Sequence, residues 1–223
     1  MSKKSVLLNA ALLLLTALLF GLWPELDLAV AQYFYGAGAF AGAGTGERAL
    51  RRVFYFAPLL VPLAMVLLWV APKLGFSLPV RFVPSGRSMI FVLLSLALAP
   101  GLLVNGVLKE YSGRPRPIHV KEFGGSVDFR PWNRIDGACR NNCSFVSGEV
   151  AASAWLIAPA SLAPVPYRVP LMAAAVVFAA ATGWLRMAFG GHFLSDVLFA
   201  ILFTLLVVQV LSWWLLGKRD QTG

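Results

Sequence analysis

A histidine and an aspartate stand four residues apart where a long apolar stretch begins, His192 and Asp196. At this spacing both side chains lie on one face of a helix, where the carboxylate can hold one ring nitrogen and leave the other free to attack. Gly190 and Gly191 leave room beside that nitrogen, and Arg186 precedes the histidine by six residues. An ionisable pair entering an apolar helix is costly and is typical of functional sites. The spacing therefore predicts a histidine nucleophile with an aspartate partner.

A basic segment with two prolines, KEYSGRPRP over 109–117, follows another apolar stretch. It contains Lys109, Arg114 and Arg116. Prolines fix the backbone, and guanidinium groups can bind phosphate oxygens through two parallel hydrogen bonds. Taken alone, the segment is either an anion-binding element or the ordinary basic end of a membrane span.

A helix start is predicted at Ser147, just before a third apolar stretch. Ser147 can cap the helix, and Gly148 lets a ligand approach the backbone. Exposed amides at a helix amino terminus favour an anion. The alternative is a simple cap without a ligand. Glu149 follows directly and adds a carboxyl group at the same helix end.

The composition places these elements in a bilayer. Of the 223 residues, 59% are hydrophobic and only 13% are charged, whereas soluble domains have about 25% charged residues. Six stretches are long enough, or nearly so, to span a membrane: 5–23, 53–70, 89–108, 150–162, 169–185 and 193–216. The fourth is short. We therefore predict an all-α, polytopic protein with about six transmembrane helices and one membrane domain over 1–223.

The amino terminus allows two interpretations. Ala29-Val30-Ala31 resembles the processing site of a secretory signal, since it follows a basic start and an apolar run. That run is nearer in length to a membrane span than to the apolar core of a signal. We therefore expect an uncleaved first helix.

Basic residues at both chain ends predict the orientation. Lys3, Lys4, Lys218 and Arg219 would lie inside, because lysine and arginine are enriched in cytoplasmic segments. The outer loops nevertheless contain more basic residues: Arg48, Arg51, Arg52, Lys109, Arg114, Arg116, Lys121, Arg130, Arg134 and Arg140. Two explanations are open, namely binding of an anionic group and attraction to anionic lipid headgroups.

The two cysteines, Cys139 and Cys143, both lie in the long outer loop between 109 and 148. An exported loop permits a disulfide, which would restrain the segment that leads into Ser147. Free thiols are the alternative, and with no histidine nearby the pair does not indicate zinc.

Together, the three motifs resemble those of the type 2 phosphatidic acid phosphatase (PAP2) superfamily, whose pattern is K-x6-RP, then PSGH, then SR-x5-H-x3-D. Here they read Lys109 to Arg116-Pro117, Val146 to Glu149, and Leu185-Arg186 to His192 and Asp196, within a core of about 85–216. The resemblance implies a phosphohistidine on His192, oriented by Asp196, without a metal or cofactor. It implies that phosphate is bound by Lys109, Arg116, Ser147, Gly148 and Arg186.

The chain departs from the family pattern at one catalytic position, where Glu149 replaces the histidine that gives a proton to the leaving oxygen. Glu149 could be the general acid, could pair with a cation, or could leave proton donation to another group such as His119. We favour the first. Val146 and Leu185 replace the family's proline and serine, and the second change removes one possible phosphate contact.

The resemblance implies a membrane lipid phosphatase with its active site on the outer, periplasmic face of a cell inner membrane. Candidate substrates are lipid A, undecaprenyl pyrophosphate, phosphatidylglycerol phosphate and phosphatidic acid. Lipid A is favoured, because basic outer loops suit a large polyanionic headgroup. The expected partners are thus a phosphorylated lipid and the bilayer, and not nucleic acid. Transfer of the phosphoryl group to a second lipid and a non-catalytic lipid-binding role are the alternatives.

Overall fold

The computed structural model describes residues 3–217 and confirms the all-α fold. Its α-helices are α1 (Lys3–Leu22), α2 (Glu25–Tyr33), α3 (Thr45–Val70), α4 (Gly86–Leu96), α5 (Lys109–Tyr111), α6 (Gly148–Trp155), α7 (Ile157–Ser161), α8 (Val165–Ala188) and α9 (Leu194–Leu216). A π-helix over Ala97–Leu108 joins α4 to α5. Short 3-10 helices cover Ala41–Ala43, Ala71–Leu74, Val80–Phe82, Pro117–His119 and Lys121–Phe123. Strands β1 (Tyr35–Gly36) and β2 (Ala39–Phe40) form an antiparallel hairpin between α2 and α3.

Five helical stretches in the described part of the chain are long and apolar enough to cross a bilayer: Lys3–Leu22, Thr45–Leu74, Val80–Tyr111, Val165–Ala188 and Leu194–Leu216. Their outer surfaces expose large aliphatic side chains, as with Leu7 at 70% and Leu60 at 62%. In water such a surface would be unfavourable, and in a bilayer it faces lipid tails of the same polarity. The chain is thus a multi-pass membrane protein.

The predicted fourth span is two short helices rather than one, and the number of spans stays a prediction. Helix α6 ends at Trp155, and α7 starts again at Ile157. Pro159 explains the break, because its ring would clash with the carbonyl of residue 155 and it has no N–H to donate. The buried indole of Trp155 fixes this corner by donating from Nε1 to Ser95 Oγ at 2.9 Å.

The third span changes its helical form before it reaches the basic segment. The π-helix contains Pro100, which lacks a backbone donor. The side chain of Asn105 donates to the Pro100 carbonyl at 2.6 Å and so uses an acceptor inside the helix. Wider π-turns are often found at functional sites. Lys109 follows directly on this segment.

Contacts between distant residues define the two ends of the helical bundle. At one end, Lys3 Nζ lies 6.0 Å from the ring centroid of Trp213, so the start of α1 is near the end of α9. At the other end, Asp27 accepts hydrogen bonds from Ser195 at the start of α9. Both described chain ends therefore lie at the same end of the bundle, while Lys218 and Arg219 lie outside the described residues.

The long outer loop packs onto the helices through aromatic side chains. The ring of Phe129 lies 5.1 Å from that of Phe193, and the ring of Trp132 lies 4.7 Å from that of Phe199. Both contacts have the geometry of favourable aromatic pairs. The loop is therefore attached to the helix ends that contain the predicted site.

Candidate active site

The three predicted motifs meet at the end of the bundle where Asp27 contacts Ser195. The carbonyl of Ser144, just before α6, lies 2.7 Å from the ring of His192, between α8 and α9. A side chain at Gly148 would meet Lys109 Nζ at 3.3 Å, so the end of the third span touches the start of α6. Segments separated by many residues thus converge on one place, as the sequence predicts.

The contact of His192 with Ser144 decides which ring nitrogen is free. His192 is 2% exposed, and its Nδ1 faces the Ser144 carbonyl oxygen at 2.7 Å. A carbonyl can only accept, so Nδ1 carries the proton and donates it. In the neutral ring Nε2 then keeps its lone pair. This is the nitrogen that can attack an electrophile.

The aspartate is placed differently from the prediction. Nδ1 of His192 and Oδ2 of Asp196 are 3.8 Å apart, beyond hydrogen-bond distance. Instead Oδ2 accepts from Ser144 Oγ at 2.5 Å and from the Phe193 amide at 2.8 Å. Asp196 therefore orients His192 through Ser144, whose hydroxyl it binds and whose carbonyl binds the ring. Helical spacing alone predicted a direct contact, because it does not include a residue inserted from another segment.

Asp196 also belongs to a buried ionic network that the sequence did not reveal. Arg114 is fully buried, and its Nη1 donates to Asp196 Oδ1 at 2.6 Å and to Ser195 Oγ at 2.8 Å. Its Nη2 donates to Asp27 Oδ2 at 2.7 Å, and its Nε donates to the Arg130 carbonyl at 3.0 Å. One guanidinium thus joins α2, the outer loop and α9. In the sequence, Arg114 looks like the other cations of its segment, and nothing local marks Asp27 as its partner.

Burial keeps His192 neutral. It lowers the pKa of His192 to about 4 from its usual 6.5, and the charge of Arg186 acts in the same direction against the opposing effect of Asp196. A charged ring in such surroundings is disfavoured because it has lost its water. At neutral pH the nucleophile therefore has a free lone pair without a separate general base.

Two of the predicted phosphate-binding cations are held by one asparagine. Asn142 accepts from Lys109 Nζ through its side-chain oxygen at 3.0 Å and from Arg116 Nη2 through its backbone carbonyl at 2.8 Å. The burial of Arg116 and the neighbouring charge of Arg51 lower its pKa. Positive charges are thus concentrated near the nucleophile, as an anion-binding site requires.

The third cation, Arg186, is 3% exposed and lies against Gly191. A Cβ at Gly191 would collide with Arg186 Nη2, so the glycine leaves room for the guanidinium in this position. The Nε–H of Arg186 is buried and has no hydrogen-bond partner among the described residues. Buried donors are nearly always satisfied, so this one is available to a ligand.

The helix start at Ser147 forms as predicted. The buried Oγ of Ser147 accepts from the Val150 amide at 3.4 Å, which makes Ser147 the cap of α6. A Cβ on Gly148 would lie 2.6 Å from Asn105 Oδ1. Gly148 therefore allows the close approach of Asn105 from the third span, in addition to any ligand.

Glu149 pairs with two arginines. Its Oε1 accepts from Arg51 Nη2 at 2.6 Å and lies 3.5 Å from Arg186 Nη1. Burial on its own raises the pKa of Glu149, but the hydrogen bond from Arg51 and the charges of Arg186 and Arg51 together outweigh it and leave the pKa below its usual value. Without a bound ligand, Glu149 is thus a carboxylate. The other candidate donor, His119, has an exposed side chain.

Cys139 and Cys143 form a disulfide, with a Cα–Cα distance of 5.7 Å. The short loop that it closes contains Asn142, which binds Lys109 and Arg116. Changing both cysteines to serine should raise KM severalfold with a smaller change in kcat, because the two cations would be less well ordered before phosphate binds. Steady-state kinetics would measure this split, and an unchanged KM would contradict the positioning role.

The comparisons agree with this geometry. The profile of the PAP2 superfamily matches residues 88–220. The chain belongs to the PAP2 superfamily. The matched range includes the segments that meet around His192, and the chain is a membrane phosphatase. By the spacing of the motifs in the sequence, Glu149 stays the predicted principal departure from the family.

Individual PAP2 relatives extend over nearly the whole chain. A lipid A 4'-phosphatase of Francisella tularensis subsp. novicida (strain U112) is 30% identical over 224 residues, covering 99% of this chain and 100% of the relative. A lipid A 4'-phosphatase of Rhizobium leguminosarum is 34% identical, covering 86% and 88%. One of Rhizobium etli (strain ATCC 51251 / DSM 11541 / JCM 21823 / NBRC 15573 / CFN 42) is 32% identical, covering 86% and 80%. No solved structure matches the chain.

Proposed function

We propose that this membrane lipid phosphatase removes a phosphate from lipid A through a phosphohistidine on His192. The observation that carries the proposal is a buried, neutral histidine whose Nδ1 is anchored to Ser144, next to an arginine with an unpartnered donor. The lipid A 4'-phosphatases that resemble the chain support the substrate.

In the first step, His192 Nε2 attacks phosphorus, a P–N bond forms and the P–O bond to the lipid breaks. Lys109, Arg116 and Arg186 stabilise the charge on the phosphoryl oxygens, together with Ser147 and the Gly148 amide. The leaving lipid oxygen takes a proton. In the second step water attacks phosphorus, the P–N bond breaks, and phosphate and neutral His192 are restored.

Glu149 is the proposed donor of that proton, and its ionic pairing sets a condition on this role. A carboxylate held by Arg51 and Arg186 must gain a proton before it can donate one. An incoming phosphate competes for the same arginines and adds negative charge, and both effects raise the pKa of a nearby carboxyl group. The proton is therefore taken up when substrate binds, or arrives on the substrate as its monoanion.

The pH dependence of catalysis tests these assignments. We expect kcat to fall at high pH, as the proton that Glu149 gains in the substrate complex is lost, and kcat/KM to fall at low pH only well below 6.5, as His192 becomes protonated. Glu149→Gln should lower kcat by roughly 100-fold and remove the alkaline limb, because general acids contribute about 10²–10⁴-fold. An unchanged kcat with a raised KM would reduce Glu149 to a partner of Arg51 and Arg186.

The substrate is tested by phosphate release from purified protein with a chelator present. The panel contains lipid A, undecaprenyl pyrophosphate, phosphatidylglycerol phosphate and phosphatidic acid. We expect release from lipid A at the highest kcat/KM. Preference for another lipid would replace lipid A in the proposal, and release from none would contradict hydrolysis at this site.

We further propose that the site faces the periplasm from the cell inner membrane. The disulfide supports this, because structural disulfides persist in oxidising compartments. The basic residues around Lys109 and Arg116 oppose the usual bias toward the cytoplasm. Phosphate binding accounts for that exception.

A further inference from the structure

A cavity of about 310 Å³ lies against Phe189, three residues before His192. Four aromatic side chains line it, those of Tyr35, Phe40, Phe123 and Phe189. The rings of Tyr35, Phe40 and Phe123 lie within 5.2–5.4 Å of one another, so this wall is a preformed aromatic cluster. Ligand sites are typically such apolar, preformed pockets with a few polar groups.

The β1–β2 hairpin makes the aromatic wall possible. Ala37 and Gly38 at its tip both have positive φ, of 50° and 78°, as a tight two-residue turn requires. The turn reverses the chain so that Tyr35 pairs with Phe40 across the two strands. Both rings thus lie at the same pocket although four residues separate them in the sequence.

The cavity adjoins the active site through Phe189. Phe189 lies three residues before His192, and the guanidinium of Arg51 is 5.6 Å from its ring centroid. The amide of Ile118, another lining residue, donates to the Gly190 carbonyl at 3.0 Å, only two residues after Arg116. A headgroup bound in the cavity would therefore lie next to the segment that leads into His192.

One charged side chain lines the cavity among the described residues, that of Arg48. Arg48 lies one helical turn before Arg51 on α3, with its side chain exposed. The Arg48 guanidinium can bind a second anionic group of the ligand while Arg51 and Arg186 act on the phosphate at His192. Catalysis at His192, as described above, has no need of this charge.

The position of the cavity indicates a headgroup rather than an acyl chain. It lies at the outer end of the bundle, next to the basic segment. A larger cavity of about 660 Å³ lies at the opposite end, beside Arg81 and Tyr167, too far along the helices to receive the substrate's headgroup. Flat aromatic walls with one cation suit a ring that has both apolar faces and charged substituents.

We propose that this aromatic pocket binds the sugar ring next to the scissile phosphate, and that Arg48 binds a second anionic group of the same headgroup. The inference rests on the proposed function, since it assigns the specificity of that site. It makes the protein selective for bis-anionic glycolipids over glycerol-based lipid phosphates.

Two variants test the two parts separately. Ala39→Trp fills the pocket from an exposed hairpin position, and Arg48→Ala removes the charge. Arg52→Ala is the matched control, because Arg52 is an exposed arginine on the same helix that does not line the pocket. The substrates are a bisphosphorylated glycolipid, its monophosphorylated form and phosphatidic acid.

We expect Ala39→Trp to lower kcat/KM at least about tenfold for both glycolipids and to leave phosphatidic acid unchanged. Arg48→Ala should lower kcat/KM about tenfold for the bisphosphorylated glycolipid alone. This is the loss expected when one charge-assisted hydrogen bond is removed. Equal losses for every substrate, or the same loss in Arg52→Ala, would overturn the proposal in favour of general electrostatic attraction.

Binding separates this proposal from the proposed function. The same lipids are titrated into nanodiscs containing His192→Ala protein, with and without the pocket changes. Weaker glycolipid binding in the pocket variants would support the pocket even if the wild-type protein released no phosphate. Unchanged binding would reject the pocket even if lipid A is hydrolysed.

Discussion

Replacing His192 with alanine will lower kcat for phosphate release at least about 10⁴-fold. Loss of the nucleophile removes the covalent route and leaves only binding and electrostatic effects to stabilise the transition state. His192 is 2% exposed, and its ring is held at 2.7 Å from Ser144 O, so no other described histidine can take its place. Wild-type protein quenched during turnover of ³²P-labelled lipid should contain an acid-labile phosphorylated residue. His192→Ala should contain none.

The control is the chain's other histidine. His119 lies in the same outer loop with an exposed side chain, so His119→Ala should keep both turnover and the phosphorylated intermediate. A large loss in His119→Ala would restore it as a proton donor. Phosphate release that survives in correctly folded His192→Ala would reject the phosphohistidine route altogether.

Local sequence patterns predicted those parts of the site that depend on local structure. The apolar runs predicted the five long membrane helices of the described residues but not the break between α6 and α7, and Ser147 begins a helix as predicted. Each of these follows from a few neighbouring residues. Their convergence was expected from the family pattern.

Features set by tertiary packing were not predictable in this way. Arg114 reaches Asp27 and Asp196 across 87 and 82 residues, and no local pattern distinguishes it from Arg116. Ser144 comes between His192 and Asp196 from a separate segment, so the direct contact predicted from helical spacing was wrong. Asn142 holds two cations through its backbone and side chain, and an isolated asparagine in a loop has no recognisable signature.

The buried network around Arg114 leads to the second large effect, which is on folding. Arg114 is fully buried and its two partners, Asp27 and Asp196, are 1% and 0% exposed at their side chains. Arg114→Met would keep the volume and leave two carboxylates without their cation. Breaking a buried ion pair in this way costs about 3–5 kcal/mol, since the remaining charge has lost both water and partner.

The matched control is an exposed ion pair. Lys121 lies 2.7 Å from Asp128, and both side chains are more than 60% exposed. Lys121→Met should leave the melting temperature in detergent unchanged, because solvent screens exposed pairs. Arg114→Met should lower the melting temperature by many degrees and also reduce activity, since Asp196 and Ser144 position His192.

The pH dependence of the Arg114→Met variant distinguishes a lost charge from lost packing. Burial already raises the pKa of Asp27, against the opposing effect of Arg114. Without Arg114, that pKa rises further above its value in the unfolded chain. A raised folded-state pKa contributes stability that is present at low pH and is lost as pH rises through it. The variant should therefore recover stability on acidification, relative to wild type, and Asp27→Asn in the same background should reduce this dependence to the part that comes from Asp196. Equal destabilisation at every pH would mean that Arg114 acts through packing, and that the buried charges do not control the position of His192.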